Sequence, residues 1–178
     1  MLIFFTVRTG REKKIAEEKI KQAGLESDFI YLKGPLAGAK LKQAGSAEAI
    51  AVFVDSCIDE KALNNLPKLK FIATRSTGFD HIDLAACKKK SIVVSNVPSY
   101  GEHTVAEYAF ALILELSLKV MQSYSHLREE GTFNPANIEG FDLIGKTLGV
   151  IGTGKIGKNV VKIGKGFGMT VLVCDMHP

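Results

Sequence analysis

Leu148-Gly149-Val150-Ile151-Gly152-Thr153-Gly154-Lys155-Ile156-Gly157 is an apolar run feeding a Gly-x-Gly-x-x-Gly turn. Asp175 follows 18 positions after the last of the three glycines. Strand, glycine turn, helix, second strand and acid, in that order, make a dinucleotide-binding fingerprint. Thr147 to Ile151 read as a short buried strand, Lys155 to Phe167 as a helix, and Met169 to Cys174 as a second buried strand. Gly152 permits the tight turn, Gly154 lets a pyrophosphate come close to backbone N–H groups, and Gly157 lets the helix pack on the strand. The first turn of that helix offers N–H groups and partial positive charge to the phosphates. Asp175 is positioned to accept hydrogen bonds from a ribose 2′-OH and to repel a 2′-phosphate, so the expected cofactor is NAD rather than NADP. Gly152-x-x-x-x-Gly157-Lys158 also matches most of a P-loop, but Asn159 stands where that motif needs Ser or Thr to hold magnesium.

Upstream, strand-like runs alternate with helical ones. Strands are expected at Leu2 to Val7, Phe29 to Leu32, Ala49 to Val54, Leu69 to Thr74 and Ile92 to Val97. Helices are expected at Arg11 to Gln22, Leu36 to Ala44, Glu60 to Leu66 and Asp83 to Lys90. Such alternation implies βαβ units and a parallel sheet. The fold class is therefore α/β: a flavodoxin-like doubly wound domain over residues 1–100, then a partial Rossmann unit over 132–178. Between them, residues 101–131 carry the longest uninterrupted helical pattern, Glu102 to Glu130. Its middle, Tyr108 to Leu116, is apolar almost all round, which predicts burial on most sides between two domains or two subunits. Glu107, Glu115 and Lys119 argue against a membrane span. Gly131 to Gly145 reads as a polar connector with a turn at Asn134-Pro135.

Composition excludes more than it selects. The 178 residues are 46% hydrophobic and 24% charged, ordinary for a globular chain, with a net charge of +4. Lys88-Lys89-Lys90 is the only lysine triplet and closes an amphipathic stretch, so it reads as a solvated helix end rather than a nucleic-acid patch. Cys57, Cys87 and Cys174 share no metal-ligand spacing and read as reduced, buried apolar residues of a cytoplasmic protein; no metal site is expected. The apolar stretch at Met1 to Val7 is too short for an export signal and lacks a basic leader.

Three further stretches carry a resemblance. They are Thr74-Arg75-Ser76-Thr77-Gly78-Phe79-Asp80-His81-Ile82-Asp83, Asn96-Val97-Pro98-Ser99-Tyr100, and Thr104-Val105-Ala106-Glu107-Tyr108-Ala109. With the glycine turn and Asp175, they resemble the D-isomer-specific 2-hydroxyacid dehydrogenases, on the D-lactate dehydrogenase side of that family. The resemblance implies reversible hydride transfer between NAD(H) and a small 2-oxo/2-hydroxy acid, with residues 1–100 as the substrate domain. It implies that N–H groups around Thr77 and Gly78 hold the substrate carboxylate, as an anion-binding turn can. Tyr100 would line the substrate pocket and Val105 would approach the nicotinamide. Gly152, Gly154, Lys155, Ile156, Gly157 and Asp175 would contact the cofactor. Arg75 either touches substrate or pairs with an acid in the hinge. Gly78 and Tyr100 also read as turn residues, and Val105 as core.

The resemblance further implies a substrate-binding Arg, an acid–base His and a Glu that tunes it, supplied near an Asn-x-Ala-Arg-Gly stretch. No such stretch occurs, and Arg8, Arg11, Arg75 and Arg128 all precede the glycine turn. His81 and His103 do not match the family's catalytic position. No catalytic residue is therefore assigned within this chain, which reads as a form truncated after the first β-α-β of its nucleotide domain and inactive alone. A two-stranded sheet leaves edges and apolar surface open, so a homo-oligomer, most simply a dimer, is expected through Glu102 to Glu130 or through the strand edge. The alternative is a non-catalytic nucleotide-sensing or interaction protein that keeps the fold.

Overall fold

The computed structural model describes residues 1–24, 28–132 and 138–176. The chain forms two compact units, Met1–Ser99 and Tyr100–Pro178. The Asn134-Pro135 turn lies outside the described residues.

In the first unit, β1 (Leu2–Val7), β2 (Asp28–Lys33), β3 (Ala49–Val52), β4 (Phe71–Thr74) and β5 (Val93–Ser95) pair in the order β2-β1-β3-β4-β5. All four pairings are parallel. This is the flavodoxin-like order. Every residue of β3 is buried, as a central parallel strand covered on both faces requires. Helices α1 (Gly10–Gln22), α2 (Ala39–Gln43), α3 (Glu60–Asn64) and α4 (Leu84–Lys89) connect the strands. Phe4, Leu32, Ile50, Val52, Leu63 and Ile72 are among the residues of the core they enclose. Side-chain caps set three of the helix starts. Thr9 accepts from the N–H of Glu12, Asp59 from Ala62 and Asp83 from Ala86. Asp83 thus caps α4 instead of joining it, and Lys88 and Lys89 sit in its last turn, where positive charge suits the helix dipole.

Several elements are shorter than the sequence pattern suggests, β3, β4 and α3 among them, and for two the reason is traceable. The helix expected from Leu36 begins only at Ala39. Leu36 is buried with its N–H on the Ser56 hydroxyl at 3.0 Å, and Gly38 has φ +54°, outside the right-handed helical region. The last strand ends at Ser95 instead of Val97, because the Val97 N–H turns to the carbonyl of Ser76 at 3.1 Å. That turn brings Asn96 to the end of β4.

The second unit contains α5 (Glu102–Leu118), α6 (Val120–Glu130), β6 (Thr147–Ile151), α7 (Lys155–Gly166) and β7 (Thr170–Cys174). The single helix expected over Glu102 to Glu130 is two helices, broken at Lys119 with φ +56°. The cause lies outside the helix. The Ser117 carbonyl accepts the N–H of Phe141 at 2.8 Å, and a Cβ at Gly140 would run into that same carbonyl oxygen. Near-complete burial of α5 is not observed either. Ala106, Phe110 and Ser117 are buried, whereas Val105, Tyr108, Leu112 and Leu116 form an exposed apolar stripe. On its buried side α5 packs on α7, with the Phe110 and Phe167 rings stacked at 5.4 Å and 6°. Strands β6 and β7 pair in parallel from Thr147↔Thr170 to Ile151↔Cys174. The cysteines also divide: Cys87 is buried, but Cys57 and Cys174 are exposed, Cys174 because most of β7 is.

Candidate functional site

The parallel register of β6 and β7 brings Gly152 and Asp175 level at the ends of their strands, and the Gly152 N–H extends the ladder to the Cys174 carbonyl at 2.8 Å. The three glycines are required for three different reasons. Gly152 has φ +91°, a conformation L side chains rarely adopt. Gly157 packs so tightly beneath the turn that a Cβ there would strike the Gly152 carbonyl oxygen. Gly154 is neither strained nor crowded: its φ is −65° and a Cβ would meet nothing within 4 Å. It is also the N-cap of α7, and no side chain caps that helix. The first turn of α7 therefore begins beside a residue with no side chain and with open space around its Cα, which fits an approaching phosphate group.

The side chains around this turn are already organised. Oδ2 of Asp175 accepts hydrogen bonds from the Thr153 N–H and, at 2.7 Å, from the Thr153 hydroxyl. The acid thus ties the end of β7 to the glycine turn. Lys155 Nζ lies 3.8 Å from Glu102 Oε1, joining the first turn of α7 to the first turn of α5. Ile156 and Val105 are exposed at the surface of this unit. Glycine spacing gave no reason to single out Thr153 or Glu102. The usable signal for Thr153 was the equal length of the two strands, which sets the acid level with the turn.

The first unit holds a second candidate locus, the turn after β4. Thr77 and Gly78 are exposed, and neither backbone N–H has a protein acceptor among the described residues. Beneath them lies a polar cluster. Thr74 Oγ1 is 2.7 Å from Ser76 Oγ and 3.0 Å from His81 Nε2, and Ser76 Oγ donates to the Gly78 carbonyl at 2.7 Å. Thr74 and Ser76 are buried. Burial pushes the His81 pKa below its ordinary 6.5, against the opposing pull of Asp80 and Asp55. Asn96 Nδ2 donates to the Thr77 carbonyl at 2.8 Å, a role its place in the Asn-Val-Pro stretch did not reveal. Asp80 Oδ2 lies against the Cα side of Gly78, 3.5 Å from where a Cβ would stand.

Arg75 is held from several sides. Nη2 donates to the Thr6 carbonyl at 2.8 Å, Nη1 reaches Glu12 Oε2 at 3.2 Å, and the guanidinium lies 4.9 Å from the Phe5 ring centroid. The Arg8 N–H, followed by Arg75, holds the Glu12 carboxyl below the ordinary carboxylate range. Tyr100 is exposed where the second unit begins. His103 lies in the first turn of α5 and is exposed.

Comparison with known proteins gives one consistent result. The catalytic domain of D-isomer specific 2-hydroxyacid dehydrogenases matches residues 4–170. D-lactate dehydrogenase of Escherichia coli is 36% identical over 169 residues, 94% of this chain and 50% of that protein. Glyoxylate reductase of Thermococcus litoralis is 34% identical over 146 residues, 79% of this chain and 44% of that protein. The crystal structure of Aquifex aeolicus D-lactate dehydrogenase complexed with NAD and lactic acid superposes with a TM-score of 0.86 at 36% identity. It covers 99% of this chain and 52% of that one. The chain thus spans about half the length of the relatives it matches. From the matched span and the shared α/β architecture, the chain belongs to the D-isomer-specific 2-hydroxyacid dehydrogenase family.

Proposed function

We propose that this chain supplies the adenosine and pyrophosphate site, and the substrate-carboxylate turn, of an NAD-linked oxidoreductase acting on a small D-2-hydroxy or 2-oxo acid. The observation that carries the reading is Gly154: a glycine needed neither for backbone strain nor for packing, at an N-terminus of α7 without a side-chain cap. Steric access for a ligand is the remaining physical reason for it. Lys155 and Ile156 flank the pyrophosphate in this reading, and Asp175 receives the ribose hydroxyls with its carboxylate pre-aimed by Thr153. The relatives support the substrate class, being D-lactate dehydrogenase and glyoxylate reductase. Bound NAD supplies the hydride acceptor. In the oxidative direction the C2 hydride of the hydroxy acid would leave for that acceptor, and the hydroxyl proton would pass to a base that none of this chain's residues is assigned to supply, leaving the 2-oxo acid.

The chain's own groups bind and orient. The Thr77 and Gly78 N–H groups take the carboxylate, Tyr100 lines the pocket and Val105 meets the nicotinamide. The geometry around Arg75 supports its alternative role, because both terminal nitrogens are committed to Thr6 and Glu12; it braces β4 against β1 and α1. His81 is given no acid–base role, since its Nε2 is engaged by Thr74. The exposed stripe Val105, Tyr108, Leu112 and Leu116 supports a homodimer. No helix among the described residues is long and apolar enough to cross a membrane.

Amide chemical-shift mapping tests both loci on one sample. NADH is expected to move Gly152 to Gly157, and pyruvate or glyoxylate to move Thr77 and Gly78. Saturating NADH that leaves the glycine turn unmoved would refute the cofactor reading.

A further inference from the structure

We propose that Asn96 and the series His81–Thr74–Ser76, in which both hydroxyl residues are buried, are positioning residues that aim the Thr77–Gly78 turn, and that His81 is held in one tautomer to do so. The proposal rests on the reading that this turn receives the substrate carboxylate, and it starts from a count of protons.

Ser76 has one hydroxyl hydrogen. Its partner 2.7 Å away, the Gly78 carbonyl, can only accept, so that hydrogen is spent there. The 2.7 Å contact between Ser76 and Thr74 must then use the Thr74 hydrogen, with Ser76 accepting. Thr74 in turn has no hydrogen left for His81, so at 3.0 Å it is His81 Nε2 that donates. The direction of the whole series is fixed: Nε2–H to Thr74, Thr74 to Ser76, Ser76 to the Gly78 carbonyl. A neutral His81 therefore carries its proton on Nε2, and any second proton goes to Nδ1. Consecutive donors in a buried site polarise one another, which strengthens the last bond of the series.

The consequence is a turn pinned at two consecutive peptides. The series fixes the Gly78 carbonyl, and Asn96 fixes the Thr77 carbonyl at 2.8 Å. In a planar trans peptide the N–H points opposite the carbonyl, and no cis bond occurs among the described residues. Holding the Thr77 oxygen from one side therefore aims the Gly78 N–H away from it, and an accepting Thr77 oxygen makes that N–H a stronger donor. Asn96 can do this because β5 ends at Ser95 and the Val97 N–H is tied to the Ser76 carbonyl. Residues 74–81 and the more distant Asn96–Val97 stretch thus converge on a pair of exposed N–H groups.

The full 178-residue chain, labelled with 15N, provides the test in three readings. The imidazole nitrogen shifts of His81 at neutral pH are expected to show a protonated Nε2 and an unprotonated Nδ1; the opposite tautomer overturns the proposal. Asn96→Ala, a change outside the core, is expected to move the Gly78 amide resonance and speed its hydrogen exchange with the fold intact. An unchanged Gly78 amide overturns the role of Asn96. Oxamate, a monocarboxylate probe, is expected to shift the Gly78 amide, with affinity falling about tenfold in Asn96→Ala and in Thr74→Val, and restored by Thr74→Ser. If oxamate leaves wild-type Gly78 unmoved, the carboxylate reading fails, while the tautomer and the Asn96→Ala amide shift still decide whether the turn is positioned as described.

Discussion

Gly154 and Gly157 are three residues apart and have opposite reasons to be glycine, so they separate binding from stability. Gly157→Ala drives a Cβ into the Gly152 carbonyl oxygen. Backbone shifts of that kind cost about 1–3 kcal/mol, and thermal unfolding is expected to show it as a melting temperature several degrees lower. Gly154→Ala meets open space at a φ that alanine accepts. The melting temperature is expected to change little, while NADH affinity falls. Equal melting losses in both variants would contradict the assignment of Gly154 to ligand access. Asp80 offers a test of the other locus. Its carboxylate sits against Gly78, so an anion on the turn meets an adverse field, and Asp80→Asn is expected to tighten oxamate by about threefold or more at low salt.

His81 adds a pH dependence at the same scale. Its pKa is depressed on folding, so the unfolded chain takes up the proton first as pH falls. The associated stability is constant above the ordinary value of 6.5 and is lost as pH drops from there toward the folded value. Denaturant titrations at about pH 7.5 and about pH 5.5 are expected to show a larger acid loss in wild type than in His81→Asn. Equal losses would show that His81 is not the group responsible.

At the scale of elements, much was legible. β1 and β6 occupy the residues that the apolar runs marked, but the burial expected of β6 is met only at Val150, because the described residues pair it with β7 alone and leave Ile151 exposed. The start of α3 at Glu60 was legible as it stands, and that of α4 to within a residue, since Asp83 caps the helix it was expected to open. The break at Lys119 was not legible. Leu116-Ser117-Leu118-Lys119-Val120 contains no Gly or Pro, and the determinant is the crossing at Gly140–Phe141, more than twenty residues later. Gly140→Ala would press a Cβ on the Ser117 carbonyl and unseat the Phe141 hydrogen bond. It is expected to destabilise the second unit by about 2 kcal/mol or more, read by hydrogen exchange at Phe141. Retained protection there would mean the crossing does not impose the break.

At the scale of the molecule, the glycine turn, the acid and the five-stranded order were readable because each follows from local pattern and spacing. The partners of the site residues were not. Thr153 on Asp175, Glu102 on Lys155, Asn96 on Thr77 and Glu12 on Arg75 are contacts that only the folded chain creates. The exposed stripe Val105, Tyr108, Leu112 and Leu116 predicts self-association, so light scattering after size exclusion should give a mass above the monomer, reduced by Leu112→Glu and Leu116→Glu together. A wild-type monomer at all concentrations would contradict a dimer through α5.

The assignment of the turn from Gly152 to Gly157, with Asp175, as an NAD site rests on cofactor selectivity. Calorimetric titration of the chain with NADH and with NADPH, for wild type and Asp175→Ala, tests it most directly. Wild type is expected to bind NADH about tenfold or more tighter than NADPH, and Asp175→Ala to weaken NADH and narrow the gap. Tighter binding of NADPH by wild type, or an Asp175→Ala variant that discriminates as wild type does, would contradict it.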